Sequence, residues 1–148
     1  MKEGSSLWFN TVVRGDVHFI KIGRYTNIQD CSMLHVTNNK YPLILGNNIT
    51  VGHSVTLHGC TINDECLIGM GAIILDGAKV NKHSIVAAGA VVTQGFEVPE
   101  GKVVAGVPCR IMRDVTKDEI EEMNISALRY FNYAEKTLKS FAKIAQTT

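Results

Sequence analysis

Five histidines are the residues of this sequence best suited to chemistry near neutral pH, because an imidazole can bind a metal ion or transfer a proton. They are His18, His35, His53, His58 and His83. Taken singly, a histidine is more often a hydrogen-bonded surface residue than a metal ligand. Whether any of the five converge depends on the elements that carry them.

A six-residue repeat organises most of the chain. Its first position is aliphatic in twelve units, at Ile22, Ile28, Leu34, Leu45, Val51, Leu57, Ile62, Ile68, Ile74, Val80, Val86 and Val92. This period fits neither an α-helix nor a hairpin. It is typical of a parallel β-helix, in which each unit forms one side of a triangular coil and its aliphatic side chain points inward. The surplus of 15 Val and 14 Ile over 9 Leu also favours strands.

The repeat predicts an all-β solenoid over residues 1–110, interrupted once by a protruding turn at residues 36–43, where two Asn and one Pro occur. After Val92 we expect the six-residue register to dissolve. Thr116 and Glu119 then form a capping box. Apolar residues follow at helical spacing, namely Ile120, Met123, Ala127, Phe131, Ala134, Leu138 and Phe141. They predict an amphipathic α-helix over residues 116–143, packed on the solenoid.

Composition limits the classes of partner. The 148 residues fit one domain, and the formal net charge of +1 gives no reason to bind nucleic acid or an acidic membrane. Residues 1–6 are polar and contain no apolar signal segment, so we expect a cytoplasmic protein. The four cysteines, Cys31, Cys60, Cys66 and Cys109, include no pair spaced as CxxC. We therefore expect them to be reduced, buried and apolar in character.

Two histidines occupy equivalent positions in successive coils. His35 and His58 each follow the first residue of a unit, so they stack about 4.8 Å apart at the backbone and can converge on one metal ion. His53 precedes His58 by up to about 16 Å of extended chain, too far to share that metal within one chain. A neighbouring subunit of a trimer could supply it. The alternative is that the three histidines form hydrogen bonds at an interface without metal. We interpret His18 and His83 as non-ligands.

Several segments are similar to the γ-class carbonic anhydrase family and its carbonic-anhydrase-like relatives. They are residues 8–16 (WFNTVVRGD), 26–30 (TNIQD), 34–36 (LHV), 51–60 (VGHSVTLHGC), 68–72 (IGMGA) and 105–108 (AGVP). The resemblance implies a left-handed β-helix and a homotrimer with zinc at each interface, bound by His35 and His58 of one chain and His53 of the next. Iron and cobalt are also compatible with imidazole ligands. The activity implied is reversible hydration of carbon dioxide by metal-bound hydroxide.

The resemblance also implies roles for other residues. Arg14 and Asp16 match an ion pair that links subunits near the metal. Gln29 matches a residue that hydrogen-bonds the metal-bound water or the substrate, and Asp30 matches its partner near the arginine. Two further residues could line the same pocket, namely Asn27 and, from the C-terminal helix, Tyr133.

The sequence departs from this family in its acidic residues. The family's archetype has glutamates in a loop, one of which carries protons, whereas residues 36–43 contain no acid. Val17 and His18 also follow Asp16, where the archetype has a glutamate. We therefore expect slow proton export. Two alternatives remain: a metal-binding trimer with weak or no hydrase activity, acting as a hydrolase or scaffold, and a hexapeptide acyltransferase in which a histidine is the general base.

Overall fold

The computed structural model describes residues 1–145, which form a parallel β-solenoid of about six turns and one C-terminal helix. The left-handed β-helix of hexapeptide repeats is confirmed. The elements are β1 (Ser6–Leu7), β2 (Val12–Val13), β3 (Ile20–Ile22), β4 (Asn27–Ile28), β5 (Met33–His35), β6 (Leu43–Leu45), β7 (Thr50–Val51), β8 (Thr56–His58), β9 (Thr61–Ile62), β10 (Leu67–Ile68), β11 (Ile73–Ile74), β12 (Lys79–Val80), β13 (Ile85–Val86), β14 (Val91–Val92), β15 (Glu97–Val98), β16 (Lys102–Gly106), β17 (Cys109–Asp114) and α1 (Lys117–Ala145).

The strands form three faces of a prism. The first face contains β1, β4, β7, β10, β13 and β16, with β17 antiparallel to β16. The second face contains β2, β5, β8, β11 and β14, and the third contains β3, β6, β9, β12 and β15. Within each face, consecutive coils pair in parallel, so each strand lies directly on its equivalent one coil earlier. A residue's place in the six-residue unit therefore decides which residues it stacks on.

The first-position aliphatic residues form the core. Those on the second face, Leu34, Leu57, Ile74 and Val92, pair in register and are 0% exposed. Burying one such side chain stabilises the fold by about 1.5–3 kcal/mol. Because every coil repeats this contact, the interior is a continuous apolar column.

The register extends further than the sequence pattern suggested. The prediction that it dissolves after Val92 was wrong, because Val98 and Val104 are also fully buried and pair with the preceding coil. Polar residues such as Glu97 and Lys102 lie in the same strands. Only the inward position is restricted to apolar residues, so polar neighbours obscure the repeat without breaking it.

The turn at residues 36–43 protrudes between β5 and β6. Val36 and Leu43 are buried at its two ends, and an antiparallel bridge joins Thr37 to Tyr41. The backbone N–H of Thr37 donates to the Tyr41 carbonyl at 3.0 Å. The turn is therefore a short closed loop outside the core.

The C-terminal helix begins with the predicted capping box. The Glu119 backbone N–H donates to the Thr116 hydroxyl at 3.2 Å, and the Thr116 N–H donates to the Glu119 carboxylate at 2.9 Å. The helix packs on β1, β4 and β7 of the first face, where Met123 and Ala127 are buried. No helix within residues 1–145 has the length and apolar character required to span a membrane.

Two parts of the predicted core are exposed instead. Leu138 and Phe141 belong to the apolar stripe of α1, but they are 64% and 50% exposed. The reason is that β1 is the outermost strand of the first face, so these two side chains line an open cleft beside residues 5–9 instead of a covered core. Among the cysteines, Cys60, Cys66 and Cys109 are free and buried as expected, whereas Cys31 is exposed. Burial raises the pKa of Cys60 and of Cys66 to about 12.

Candidate metal centre

The structure brings His35 and His58 together at the end of two paired strands. They are direct partners in the register of β5 and β8, and Nδ1 of His35 lies 3.0 Å from Nε2 of His58. Both side chains are partly buried, with exposed fractions of 16% and 34%. The stacking that the repeat predicts for this pair is present.

A carboxylate approaches the outer nitrogen of each ring. Nε2 of His35 lies 3.1 Å from Asp16 Oδ1, and Nδ1 of His58 lies 2.7 Å from Asp76 Oδ1. A carboxylate only accepts hydrogen bonds, so each ring donates from that nitrogen. The two remaining nitrogens then present lone pairs to each other. Metal-binding histidines commonly donate their second ring nitrogen to a carboxylate in this way, so this pair is suited to a divalent transition metal.

Arg14 completes this group of residues. Its guanidinium donates to Asp16 Oδ2 at 2.5 Å and lies 3.3 Å from Nδ1 of His35. Although desolvation opposes the effect, the hydrogen bonds from Arg14 and His35 lower the pKa of Asp16. We name the set Arg14, Asp16, His35, His58 and Asp76 the histidine corner. It lies where the second face turns into the third.

The other predicted site residues lie at the opposite edge of the second face. His53 follows β7 and its Nδ1 lies 3.0 Å from Asp30 Oδ2, which follows β4. Gln29 is buried, and its amide donates to Asn27 Oδ1 at 3.3 Å. We name His53, Gln29 and Asp30 the His53 corner. The structure thus places the predicted site residues in two groups separated by the width of a face.

The C-terminal helix contributes to the His53 corner. A cleft of about 380 Å³ is bounded by His53 and Asp30 on the solenoid and by Tyr130 and Tyr133 on α1. Burial raises the pKa of Tyr130, and the nearby Asp30 charge adds to this effect, while a hydrogen bond with Gln29 opposes it. Tyr133 therefore lines the same cleft as His53.

His53 does not join His35 and His58 within one chain. Across residues 1–145, no three His, Cys, Asp or Glu side chains of a single chain are arranged to hold a metal ion. This agrees with the fold, because His53 precedes β8 and His58 ends it, so the two lie at opposite edges of the second face. A three-histidine site requires that the His53 corner of one chain meet the histidine corner of another.

Asp76 and Thr37 were missed by the sequence reasoning. The Thr37 hydroxyl donates to Asp76 Oδ2 at 2.8 Å, so both residues belong beside His58. The available signal was that Asp76 stands one residue beyond the register equivalent of His58 in the next coil, since Leu57 pairs with Ile74 there. His83 also has a carboxylate partner, Glu65, at 2.5 Å. The remaining histidine, His18, accepts a hydrogen bond from the Phe19 N–H at 2.9 Å.

Comparison with known proteins identifies relatives across almost the whole chain. A family model described as bacterial transferase hexapeptide (six repeats) matches residues 59–94. The chain is 53% identical over 137 residues to a Methanocaldococcus jannaschii protein named "Probable carbonic anhydrase", covering 93% of this chain and 85% of that protein. It is 47% identical to "Gamma carbonic anhydrase 1, mitochondrial" of Arabidopsis thaliana, covering 95% of this chain and 53% of that protein.

The solved structures include a hexapeptide transferase family protein from Anaplasma phagocytophilum. Its TM-score is 0.86 and its identity 37%, with 90% of this chain and 78% of that chain covered. The fold is therefore shared with proteins described as transferases, whereas both curated relatives above are described as carbonic anhydrases. By identity and coverage, the chain belongs to the γ-class carbonic anhydrase family of hexapeptide-repeat proteins.

Proposed function

We propose that this protein is a zinc-dependent carbonic anhydrase that catalyses the reversible hydration of carbon dioxide as a cytoplasmic homotrimer. Each metal site would take His35 and His58 from one chain and His53 from the next. The observation that carries this proposal is the pair of facing imidazole nitrogens 3.0 Å apart. Each ring is held from behind by a carboxylate.

The donor set fits zinc. Three imidazoles and one open position are typical of catalytic zinc, with zinc–nitrogen distances of about 2.0–2.1 Å. Iron(II) and cobalt(II) also suit imidazole ligands. When bound, zinc brings the pKa of water toward about 7, which makes hydroxide available for addition to carbon dioxide. The remaining roles belong to side chains of the protein.

The histidine corner keeps His35 in the orientation that binding requires. Asp16 accepts from Nε2 of His35, so Nδ1 keeps its lone pair. Arg14 neutralises Asp16 and holds it in place. In the His53 corner, Asp30 plays the corresponding part for His53. Both carboxylates therefore act on ligand orientation, and neither needs to contact substrate.

Gln29 is the residue we expect to orient the substrate. Its side chain is buried beside Asp30, and the Asn27 amide holds it from one side. A fixed amide can donate to an oxygen of bicarbonate and accept from water, which favours one orientation at the reacting carbon. Tyr130 and Tyr133 form the apolar wall of the adjoining cleft, a surface compatible with uncharged carbon dioxide.

The outer surface of the second face supports trimer formation. It lies between the two corners and carries a row of residues in register that is apolar apart from Thr56. Val12, Met33 and Ile73 of this row are 45%, 39% and 36% exposed. A mostly apolar strip on a flat face is typical of an interface. Packing three such faces around an axis would bring unlike corners together.

Proton export is the step of the proposed reaction for which the chain offers the fewest suitable side chains. The loop at residues 36–43 has no carboxylate, so we expect protons to leave through solvent or small buffers. We therefore expect kcat to rise with the concentration of an imidazole buffer, while kcat/KM stays constant. Stopped-flow measurement of carbon dioxide hydration would show this dependence. A kcat independent of buffer would mean that another group of the protein carries the proton.

Metal analysis combined with a single substitution tests the proposed site. Protein prepared without added zinc should contain about one metal ion per chain, and native mass spectrometry should give a trimer. His53→Ala should lose the metal although the same chain keeps His35 and His58. His18→Ala is the matched control and should retain it. Metal retained by His53→Ala would contradict the interfacial site, and full metal without hydration above buffer would contradict the activity.

A further inference from the structure

The contact between His58 and Asp76 goes beyond the predicted site residues. We propose that Asp76, held by Thr37, is a positioning residue that fixes His58 with its Nε2 toward the metal. This inference deepens the proposed function and rests on it. Asp76 lies in the turn between β11 and β12, one coil away from the histidine that it contacts.

Both oxygens of the Asp76 carboxylate are used. Oδ1 lies 2.7 Å from Nδ1 of His58, and Oδ2 accepts the Thr37 hydroxyl at 2.8 Å. The first contact makes Nδ1 the protonated nitrogen, because a carboxylate accepts and does not donate. Nε2 is then left with the lone pair that faces His35. The second contact stops the carboxylate from rotating away.

The backbone next to His58 makes room for this carboxylate. Gly59 is buried and has a φ of +53°. A Cβ at this position would overlap the Asp76 carboxylate and would lie 2.7 Å from the Cβ of Tyr41. The residue after the ligand therefore has no side chain where one would displace Asp76. Tyr41 closes the other side, opposite Thr37 in the loop bridge.

Asp76 is better enclosed than the carboxylate that serves His35. Its side chain is 25% exposed, whereas Asp16 is 45% exposed. Asp16 is also shared with Arg14, whose charge offsets its own. A less exposed carboxylate contacting an imidazole at shorter distance has the greater effect on ligand orientation and basicity. We therefore expect Asp76 to influence metal affinity more than Asp16 does.

Metal affinity measured by competition with a chromophoric chelator tests this role. Asp76→Asn keeps the shape of the side chain but removes its charge, and should weaken zinc binding by about 10–100-fold. Thr37→Val removes only the hydroxyl that holds Asp76 and should give a smaller loss in the same direction. Glu65→Gln is the matched control, because Glu65 contacts His83 across the same sequence distance. It should leave affinity within about twofold, below the effects expected for positioning carboxylates.

The cobalt-substituted protein gives a second readout that a purely structural role would not change. The visible d–d bands of bound cobalt(II) report the ligand field, so Asp76→Asn should shift or broaden them while Glu65→Gln leaves them unchanged. Circular dichroism and the urea midpoint establish that each variant is folded. If Asp76→Asn does not fold, Thr37→Val alone carries the test.

The outcomes separate this inference from the proposed function. Wild-type protein that binds no zinc or cobalt would overturn both. Wild-type protein that binds metal, together with an Asp76→Asn variant of unchanged affinity and spectrum, would overturn only the role of Asp76. If Thr37→Val has to carry the test, unchanged affinity and spectrum in that variant overturn the role in the same way. Weakened binding with an altered cobalt spectrum supports the role, provided that Glu65→Gln behaves like the wild type.

Discussion

Two histidine–carboxylate pairs of this molecule have the same spacing and different surroundings. His58 contacts Asp76 at 2.7 Å and His83 contacts Glu65 at 2.5 Å, each across 18 residues. His58 presents its second nitrogen to His35. The second nitrogen of His83 lies 3.9 Å from the carboxylate of Glu100 instead, and Lys82 lies 3.7 Å from Glu65.

The difference shows what a repeating coil provides by itself and what it does not. Stacking brings any side chain within reach of its neighbours one coil away, so histidine–acid pairs arise readily in such folds. A metal centre needs in addition a second imidazole in register, so that two lone pairs face each other. His35 meets this condition for His58, whereas the neighbours of His83 are charged groups with which it can form ion pairs.

The largest contrast is expected from removing each histidine in turn. His58→Ala should lose nearly all bound metal, because one lone pair of the facing pair disappears. His83→Ala should keep the wild-type metal content. Elemental analysis of the purified proteins measures both. Equal metal content in the two variants would mean that the facing pair is not the binding site.

The next largest contrast is expected between a glycine packed against Asp76 and a glycine in open space. Gly59→Ala should displace the Asp76 carboxylate and should lower both stability and zinc affinity. Gly101→Ala is the matched control, because Gly101 also has positive φ but has nothing within 4 Å of an added Cβ. It should cost only about 1–2 kcal/mol for the left-handed backbone. Urea denaturation measures the stability of each variant and chelator competition measures its zinc affinity. Equal zinc affinity in the two variants would contradict the prediction.

The ion pair of His83 should matter little to stability. Its two side chains are partly buried, at 24% and 22% exposed, but solvent still screens the pair, so we expect a contribution of about 1 kcal/mol or less. Glu65→Gln should therefore change the free energy of unfolding by less than about 1 kcal/mol at neutral pH. Equilibrium urea unfolding measures this. A loss of several kcal/mol would show that the pair is needed for the stability of the solenoid, which would contradict the minor role we assign to it.

The smallest effect concerns a carboxylate outside both corners. The Arg113 guanidinium and the Thr116 N–H lower the pKa of Glu119 from 4.5 to about 2. A carboxyl whose folded pKa is lowered stabilises the fold above its unfolded value and loses that contribution as pH falls. Stability should therefore decline between pH 4.5 and about 2, and Arg113→Met should flatten this part of the profile. The test is to measure urea midpoints of both proteins across that pH range. An equally steep decline with falling pH in Arg113→Met would contradict the prediction.

The sequence was a good guide wherever the inward position decides the structure. The twelve aliphatic residues from Ile22 to Val92 predicted the strands, the coils and the stacking of His35 on His58. They could do so because apolar residues at the inward position must lie in the interior of the coil. The same rule also covers Val98 and Val104. Charged neighbours at outward positions obscure the six-residue period there when every position is given equal weight.

Other features depend on contacts that a one-dimensional period does not contain. Asp76 is the third residue of its unit, so it lies one coil along from Gly59 rather than from His58, and only its side chain reaches His58. Thr37 reaches Asp76 from a loop outside the repeat. The exposure of Leu138 and Phe141 follows from where the first face ends, and helical spacing alone does not show that.

The loop at residues 36–43 has a consequence for how proteins of this design can change. Its two ends are anchored by buried Val36 and Leu43, and the Thr37–Tyr41 bridge closes it outside the coil. Residues inserted at its tip, beyond that bridge, leave both the inward register and Asp76 in place. Evolution or protein engineering could thus add an acidic proton carrier there without altering the metal ligands. Catalytic speed and metal binding would then be adjustable independently of each other.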